Sequence, residues 1–302
     1  MKHALIAILV ATATLPFRTA EAAPGRVFVA AQGSDANACT FASPCRTFQH
    51  AHDVVAAGGE IDVLDPAGYG GLTIAKAISI QGHGYAGVSA ASGDVITVSA
   101  GSGKVNLRGL LLDGLGTAGD GVHFNSGALL NIQDCLIRNS SRGIVFSPSA
   151  LSRLFVSNTR IADTGSTALE ISPLSGGTAA VVIEDAAAVG SGSTGLLLNG
   201  SGQSQITISN STIAHHAVNG IWLNFSGLTS VFVRNSTIAD NSGVGLRASG
   251  SNNVIRLTHS SITGNGTGVL AETAGQVLSF GDNSLGGNTS DGAFTGAPLG
   301  LN

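Results

Sequence analysis

A chain of 302 residues with 11% charged side chains, a net charge of −4 and no run of Lys or Arg lacks the electrostatic footprint of a nucleic-acid binder. Its length alone allows two domains, yet no linker-like shift in composition divides it, and elongated β structures hold this many residues in one domain. Past the N-terminus, Gly, Ser, Asn and Thr interrupt every apolar stretch, so none approaches the roughly 18 apolar residues of a membrane helix.

Residues 1–22 read as an export signal. Lys2 and His3 supply the basic start, Ala4 to Leu15 an apolar run too short to span a bilayer, and Ala20-Glu21-Ala22 a small-x-small cleavage site. The protein is therefore expected to be secreted or periplasmic. Cys39 and Cys45 lie close together in a Pro-containing loop, and export makes a disulfide between them the expected pairing. Cys135 is left over; no base is evident for it, and it reads as a small half-buried thiol at a strand end.

Residues 23–104 are expected to form an N-terminal cap and the first, irregular coils. Within them Thr47 to Ala57 sets Phe48, Ala51, Val54 and Val55 on one helical face, which suits a short capping helix. Asp62 and Asp65 flank Val63-Leu64 and have the chemistry of a calcium site. Their place just ahead of Pro66 reads better as the end of a strand, and no metal or cofactor is expected. Gly82-His83-Gly84 reads as a glycine-rich turn.

Residues 105–288 repeat every 23 to 27 residues. Aligned on Leu112, Ile137, Ile161, Ala188, Ile213, Ile238, Ile262 and Leu285, the units carry apolar residues five and seven positions earlier, from Leu107 and Val105 to Phe280 and Leu278. That two-residue spacing is strand periodicity. A polar column follows it, made of Asp134, Asn158, Asp185, Asn210, Asn235, His259 and Asp282 with Gly109 in the first unit, and these are bend-forming residues. A glycine-marked second strand follows, as in Gly195 to Leu198 and Gly220 to Leu223. Such a unit holds three short strands and three turns but no helix, so the expected fold is all-β, a solenoid of stacked coils about 4.8 Å apart. Residues 289–302, with Phe294 and Leu299, are expected to cap the far end.

The units "N-S-T-I-A" at Asn210 and Asn235 with their following Gly-Ile or Gly-Val strands, and the entry segment from Val27 through Pro44-Cys45-Arg46-Thr47-Phe48, resemble the right-handed parallel β-helix proteins of the pectin-lyase-like superfamily. Within it they are similar to exported bacterial β-helix repeat proteins. The resemblance covers nearly the whole mature chain. It implies the fold, and with it an association with acidic polysaccharides, which lyases of the group cleave with clustered carboxylates, calcium and a basic residue. No matching carboxylate cluster is apparent in the sequence. Polygalacturonase-like hydrolases of the group pair an Asp-Asp with a Gly-His-Gly, and the Asp-Asp is missing here.

Stacking creates candidate sites that sequence proximity does not. One outward column reads His123, Val145, Glu170, Leu197, Trp222, Arg247 and Leu270, and in it an exposed Trp222 indole, flanked by Glu170 and Arg247, can stack on a sugar while these charges and His123 bind hydroxyls or carboxylates. A second column, two residues past the aligned position, sets His215 beside Asp240, an arrangement suited to general base work; its other members, such as Asn139, Asp163 and Gly264, are turn residues. Sequons at Asn210, Asn224, Asn235 and Asn265 fall in the same turn-rich stretches. Coil lengths are nearly uniform, so no long loops wall a catalytic groove. The expected function is binding or presentation of a glycan or another surface macromolecule, without turnover. The competing expectation is a polysaccharide lyase, hydrolase or epimerase that uses His215, Asp240 and Glu170.

Overall fold

The computed structural model describes residues 22–300. The expected export signal lies outside the described residues except for Ala22, as do Leu301 and Asn302 at the other end. Among the described residues, no helix is long and apolar enough to cross a membrane.

A coil of three short strands cannot bury its own apolar side chains, so it becomes stable only when neighbours stack on it. The chain does this with three parallel ladders, one per face. The first face runs from Arg26–Val29 and Gly59–Val63 through Leu129–Gln133, Leu151–Ser157, Thr178–Glu184, Gln203–Ser209, Thr229–Arg234 and Asn253–Thr258 to Gln276–Ser279. The second includes Arg160–Ala162, Ala187–Val189, Thr212–Ala214, Thr237–Ala239 and Ser261–Thr263. The third starts at Leu72–Ile74 and Ile96–Ser99 and passes through Leu169–Ile171, Leu196–Gly200, Ile221–Phe225, Val244–Ser249 and Thr267–Glu272 to Ser290–Gly292. Long strands such as Lys104–Ser126 and Leu136–Phe146 turn the corners and join the ladders into one 27-stranded sheet. The result is an all-β parallel solenoid.

The aligned apolar residues are register partners from Leu112 to Leu285, as the repeat requires. Their side chains fuse into one core along the whole stack. The stack also reaches further than 105–288: strands from Arg26–Val29 onward already lie in the ladders, and Ser290–Gly292 still pairs with Thr267–Glu272. Only the last coil departs from the expected alignment. Ile255 faces Val277 rather than Leu278, and Leu257 faces Ser279 rather than Phe280. The cause is one extra corner residue, Gly281, which takes the left-handed conformation (φ 89°) assigned by the repeat to Asp282.

The remaining polar column is left-handed throughout, with φ between 43° and 65° from Gly109 and Asp134 to His259. Asn and Asp tolerate this conformation and satisfy local backbone groups, which is why they recur there. Inside each corner runs a hydrogen-bonded ladder. At the first, Ser211, Ser236 and Ser260 each accept from the backbone N–H of the residue one coil earlier. At the second, His216 N donates to Asn241, Asn241 N to Asn265 and Asn265 N to Asn288. Asn265, at 1% exposure, has its amide fully engaged there, which leaves its sequon no room for a glycan.

The open first coil is covered by a helix at Phe48–Val54, capped by the Thr47 hydroxyl, which accepts from His50 N; Phe48 and Ala51 are buried beneath it. Cys39 and Cys45 form a disulfide in the loop that precedes it. At the far end the tail returns onto the first face, where Thr295 N donates to Val277 O and Leu299 N to Ser279 O. Cys135 is buried within the first corner, and burial pushes its thiol pKa up to about 11, so it is chemically inert.

Ala188 interrupts a column otherwise made of isoleucines and leucines and borders a small apolar void lined by Ile161, Ile183, Leu196 and Ile213. Ala188→Val is expected to fill it and raise stability by about 1 kcal/mol, a gain of roughly 2–4 °C in Tm. A melting temperature at or below that of the parent protein would show that the void cannot take two more methyl groups.

Candidate functional site

The outward residues of the third face stand in the expected column. His123 pairs with Val145, Val145 with Glu170, Glu170 with Leu197, Leu197 with Trp222, Trp222 with Arg247 and Arg247 with Leu270. At about 4.8 Å per coil this is an open stripe of roughly 29 Å.

Its two ends differ in chemistry. At the N-terminal end, Arg142 grips both oxygens of Asp120 (Nε–Oδ1 2.8 Å, Nη2–Oδ2 2.9 Å) and reaches Glu170 (Nη1–Oε2 3.0 Å). Asp120 Oδ2 also meets His123 Nδ1 at 2.6 Å, and Asp94 stands 3.6 Å from the same nitrogen. Asp120 is buried, so this ion pairing is what permits its charge in the fold. Burial opposes the charge of Arg142, but Asp120 and Glu170 outweigh it and raise the guanidinium's pKa above its ordinary value. At the other end the Arg247 guanidinium lies over the Trp222 ring, 4.6 Å from its centre, and Glu272 holds it (Nε–Oε1 2.8 Å). The Ser249 hydroxyl and Arg247 together depress the Glu272 carboxyl below its usual range.

Two expectations for this stripe need correction. Glu170 does not flank Trp222: Leu197 intervenes, and Glu170 turns to Arg142 because an arginine that already binds Asp120 offers it a second charged hydrogen bond. The Trp222 indole is half-buried rather than free, since Arg247 covers part of its face and Ser249 Oγ accepts from Nε1 at 3.4 Å.

His215 and Asp240 do stack in one column, at the second corner, and both are exposed and left-handed (φ 60° and 54°). No hydrogen bond joins them. The Asp240 carboxylate lies instead against Gly264, one coil further on, where a Cβ would stand 2.1 Å from Oδ1. Their conformation is what the corner requires, so the structure assembles no His215–Asp240 dyad.

Asp62 and Asp65 do not converge. Asp62 Oδ1 binds His83 Nε2 at 2.6 Å, and Asp65 accepts from Ala31 N and the Tyr69 hydroxyl. His83 belongs to a four-residue bulge, Gly82 to Tyr85, at the first corner. A tighter donor set is Asp94, Asp120 and His123, whose ligand atoms lie within 4.8 Å of one another. It does not fit a divalent cation as it stands, because the permanently charged Arg142 occupies both oxygens of Asp120.

Sequence reasoning missed Asp94, Asp120 and Arg142. The signal was present: Asp120 and Arg142 are register partners just ahead of the third-face strands. With the geometry in place, comparison with known proteins locates the fold. The family model described as right handed beta helix region matches residues 68–226 and 157–297. Among solved structures, the chain is similar to pectate lyase Pel9A (TM-score 0.64, 14% identity, 84% of this chain and 74% of that one). It is also similar to the A-module of the Azotobacter vinelandii mannuronan C-5 epimerase AlgE6 (TM-score 0.49, 17% identity, 77% and 74%). No curated protein matches the sequence.

Proposed function

Because the chain belongs to the right-handed β-helix family, whose fold it shares with a pectate lyase, we propose that it binds a linear acidic polysaccharide along the third face, outside the cytoplasm, without cleaving it. One observation carries this reading: the stripe from His123 to Leu270 is long and unwalled, and it sets Glu170, Trp222 and Arg247 among the aliphatic Val145, Leu197 and Leu270, with Arg142 beside its N-terminal end. A sugar chain lying there meets an indole edge for its apolar face and, at Arg142 and Arg247, the guanidinium N–H groups that Asp120, Glu170 and Glu272 leave free. Arg142 and Arg247 are already held in place by Asp120 and Glu272, so little side-chain freedom is lost on binding. Export is supported by the Lys2-to-Ala22 segment and is compatible with the Cys39–Cys45 disulfide.

A lyase or epimerase is the second reading, and the Asp120–His123 contact favours it, since a carboxylate that orients an imidazole is a general-base arrangement. Both readings are tested by incubating the purified protein with acidic and neutral polysaccharides, with and without calcium, while binding and product release are followed. Binding without product, weakened by about tenfold or more in Trp222→Ala, is expected. Product formation that disappears in His123→Ala establishes the enzyme instead, and absence of binding to every acidic polysaccharide overturns both.

A further inference from the structure

The first face carries a different surface from the third. Gln203–Ser209, Thr229–Arg234 and Asn253–Thr258 lie side by side there and border an open groove of about 460 Å³. Its polar lining includes Gln203, Gln205, Ser230, Asn252 and Arg256, and none of its lining residues is acidic. Arg256 reaches the Ser230 hydroxyl at 3.0 Å but forms no ion pair among the described residues, whereas Arg142 and Arg247 on the third face are both neutralised. The Gln203, Gln205 and Asn252 amides likewise bond to no other side chain among the described residues. Phe232 stands just outside the groove's lining: it pairs in register with Arg256 and lies two residues beyond Ser230 on the same strand, about 6.6 Å along it. Its ring is half-exposed and braced at 88° by Phe280, with centroids 6.2 Å apart.

We propose that this groove is a second saccharide site, independent of the third face, which takes one hexose unit bearing a carboxylate or sulfate. An apolar sugar face fits the braced Phe232 ring. The unengaged amides and Ser230 match ring hydroxyls, each able to donate or accept. The unpaired Arg256 supplies the charge that selects an anionic substituent and fixes its position beside the aromatic ring. Two separate faces of the solenoid then hold separate glycan segments, so one molecule bridges two chains.

The test is calorimetric titration of the full chain with an oligogalacturonate, a sulfated galactan oligosaccharide and neutral galactan, using Arg256→Gln, Gln205→Ala and Phe232→Ala. Trp222→Ala is the third-face control, and thermal melts confirm folding. In the parent protein at least one anionic sugar should bind more tightly than neutral galactan, and the tighter of the two identifies the substituent. Arg256→Gln should weaken that binding by about tenfold, as loss of a charged hydrogen bond implies, while Trp222→Ala leaves this component intact. Gln205→Ala should weaken both anionic and neutral sugars. Arg256 and Gln205 lie on the strand surface, so their variants decide the matter even if Phe232→Ala fails to fold. Anionic binding unchanged in both variants, or abolished by Trp222→Ala alone, overturns the second site. Loss of the Arg256-dependent component with the Trp222-dependent one intact would support this site, and the reverse would leave only the third-face reading standing.

Discussion

Ile238→Asp should split thermal unfolding into separate transitions or lower the midpoint by more than about 10 °C relative to the parent protein, whereas Thr237→Asp, one residue away, should leave the melt nearly unchanged. Ile238 is fully buried between Ile213 and Ile262, and Thr237 points to solvent on the same strand. The substitution removes about 2–5 kcal/mol of buried aliphatic packing and leaves a carboxylate without a partner in the core, at several kcal/mol more. That sum rivals the whole net stability of a typical domain. Each coil contacts only its neighbours, so the damage should split the stack at this rung, with the coils on either side melting separately. Circular dichroism melts with limited proteolysis distinguish splitting from global loss. An unaltered melt for Ile238→Asp would show that this column does not face the core.

The second large effect is a loss of stability under mild acid, caused by His216. The ring is 1% exposed; its Nδ1 accepts from Ser191 N and stands 2.7 Å from the Ser191 hydroxyl, and its Nε2 meets Ala188 O. Burial is the main reason that its pKa falls to about 4, and the neighbouring His215 adds to the depression. The unfolded chain binds a proton at this residue near pH 6.5 and the folded chain only near pH 4. The stabilisation is therefore complete above pH 6.5 and is lost as the pH falls toward 4, by up to about 3 kcal/mol. His216→Asn removes the titrating group and extends the chain of Asn241, Asn265 and Asn288 by one rung. Urea unfolding between pH 7 and 4.5 should show a decline in the parent protein that the variant lacks. Equal slopes would rule out His216 as the source.

The two corners show how far the repeat could be read. Asn210 and Asn235 are visibly in phase in the sequence, and both are left-handed in the fold, because a residue that must bend the chain is selected for its own backbone and needs no partner to be recognised. The adjoining Ser211, Ser236 and Ser260 ladder was just as periodic, but its role depends on a backbone N–H one coil away. Gly281 marks the limit of phase-counting: a single inserted residue exchanges inward for outward in the last first-face strand, so Val277 and not Leu278 enters the core.

The candidate sites divide along the same line. The sequence by itself determined the solenoid, its register from Val105 to Leu270 and the column that holds His123, Glu170, Trp222 and Arg247, since alternation and period act through each residue's own preference for core or solvent. Only the tertiary structure decided where the charges point. Arg142 has a carboxylate within reach in each neighbouring coil, and the geometry of its fork joins Asp120 to Glu170. Asp240 turns from His215 toward the open space over Gly264, and Arg256 remains unpaired above a groove without acids. Long polar side chains choose among partners brought close by stacking, and that choice depends on distances and burial between coils, which no repeat in the sequence records.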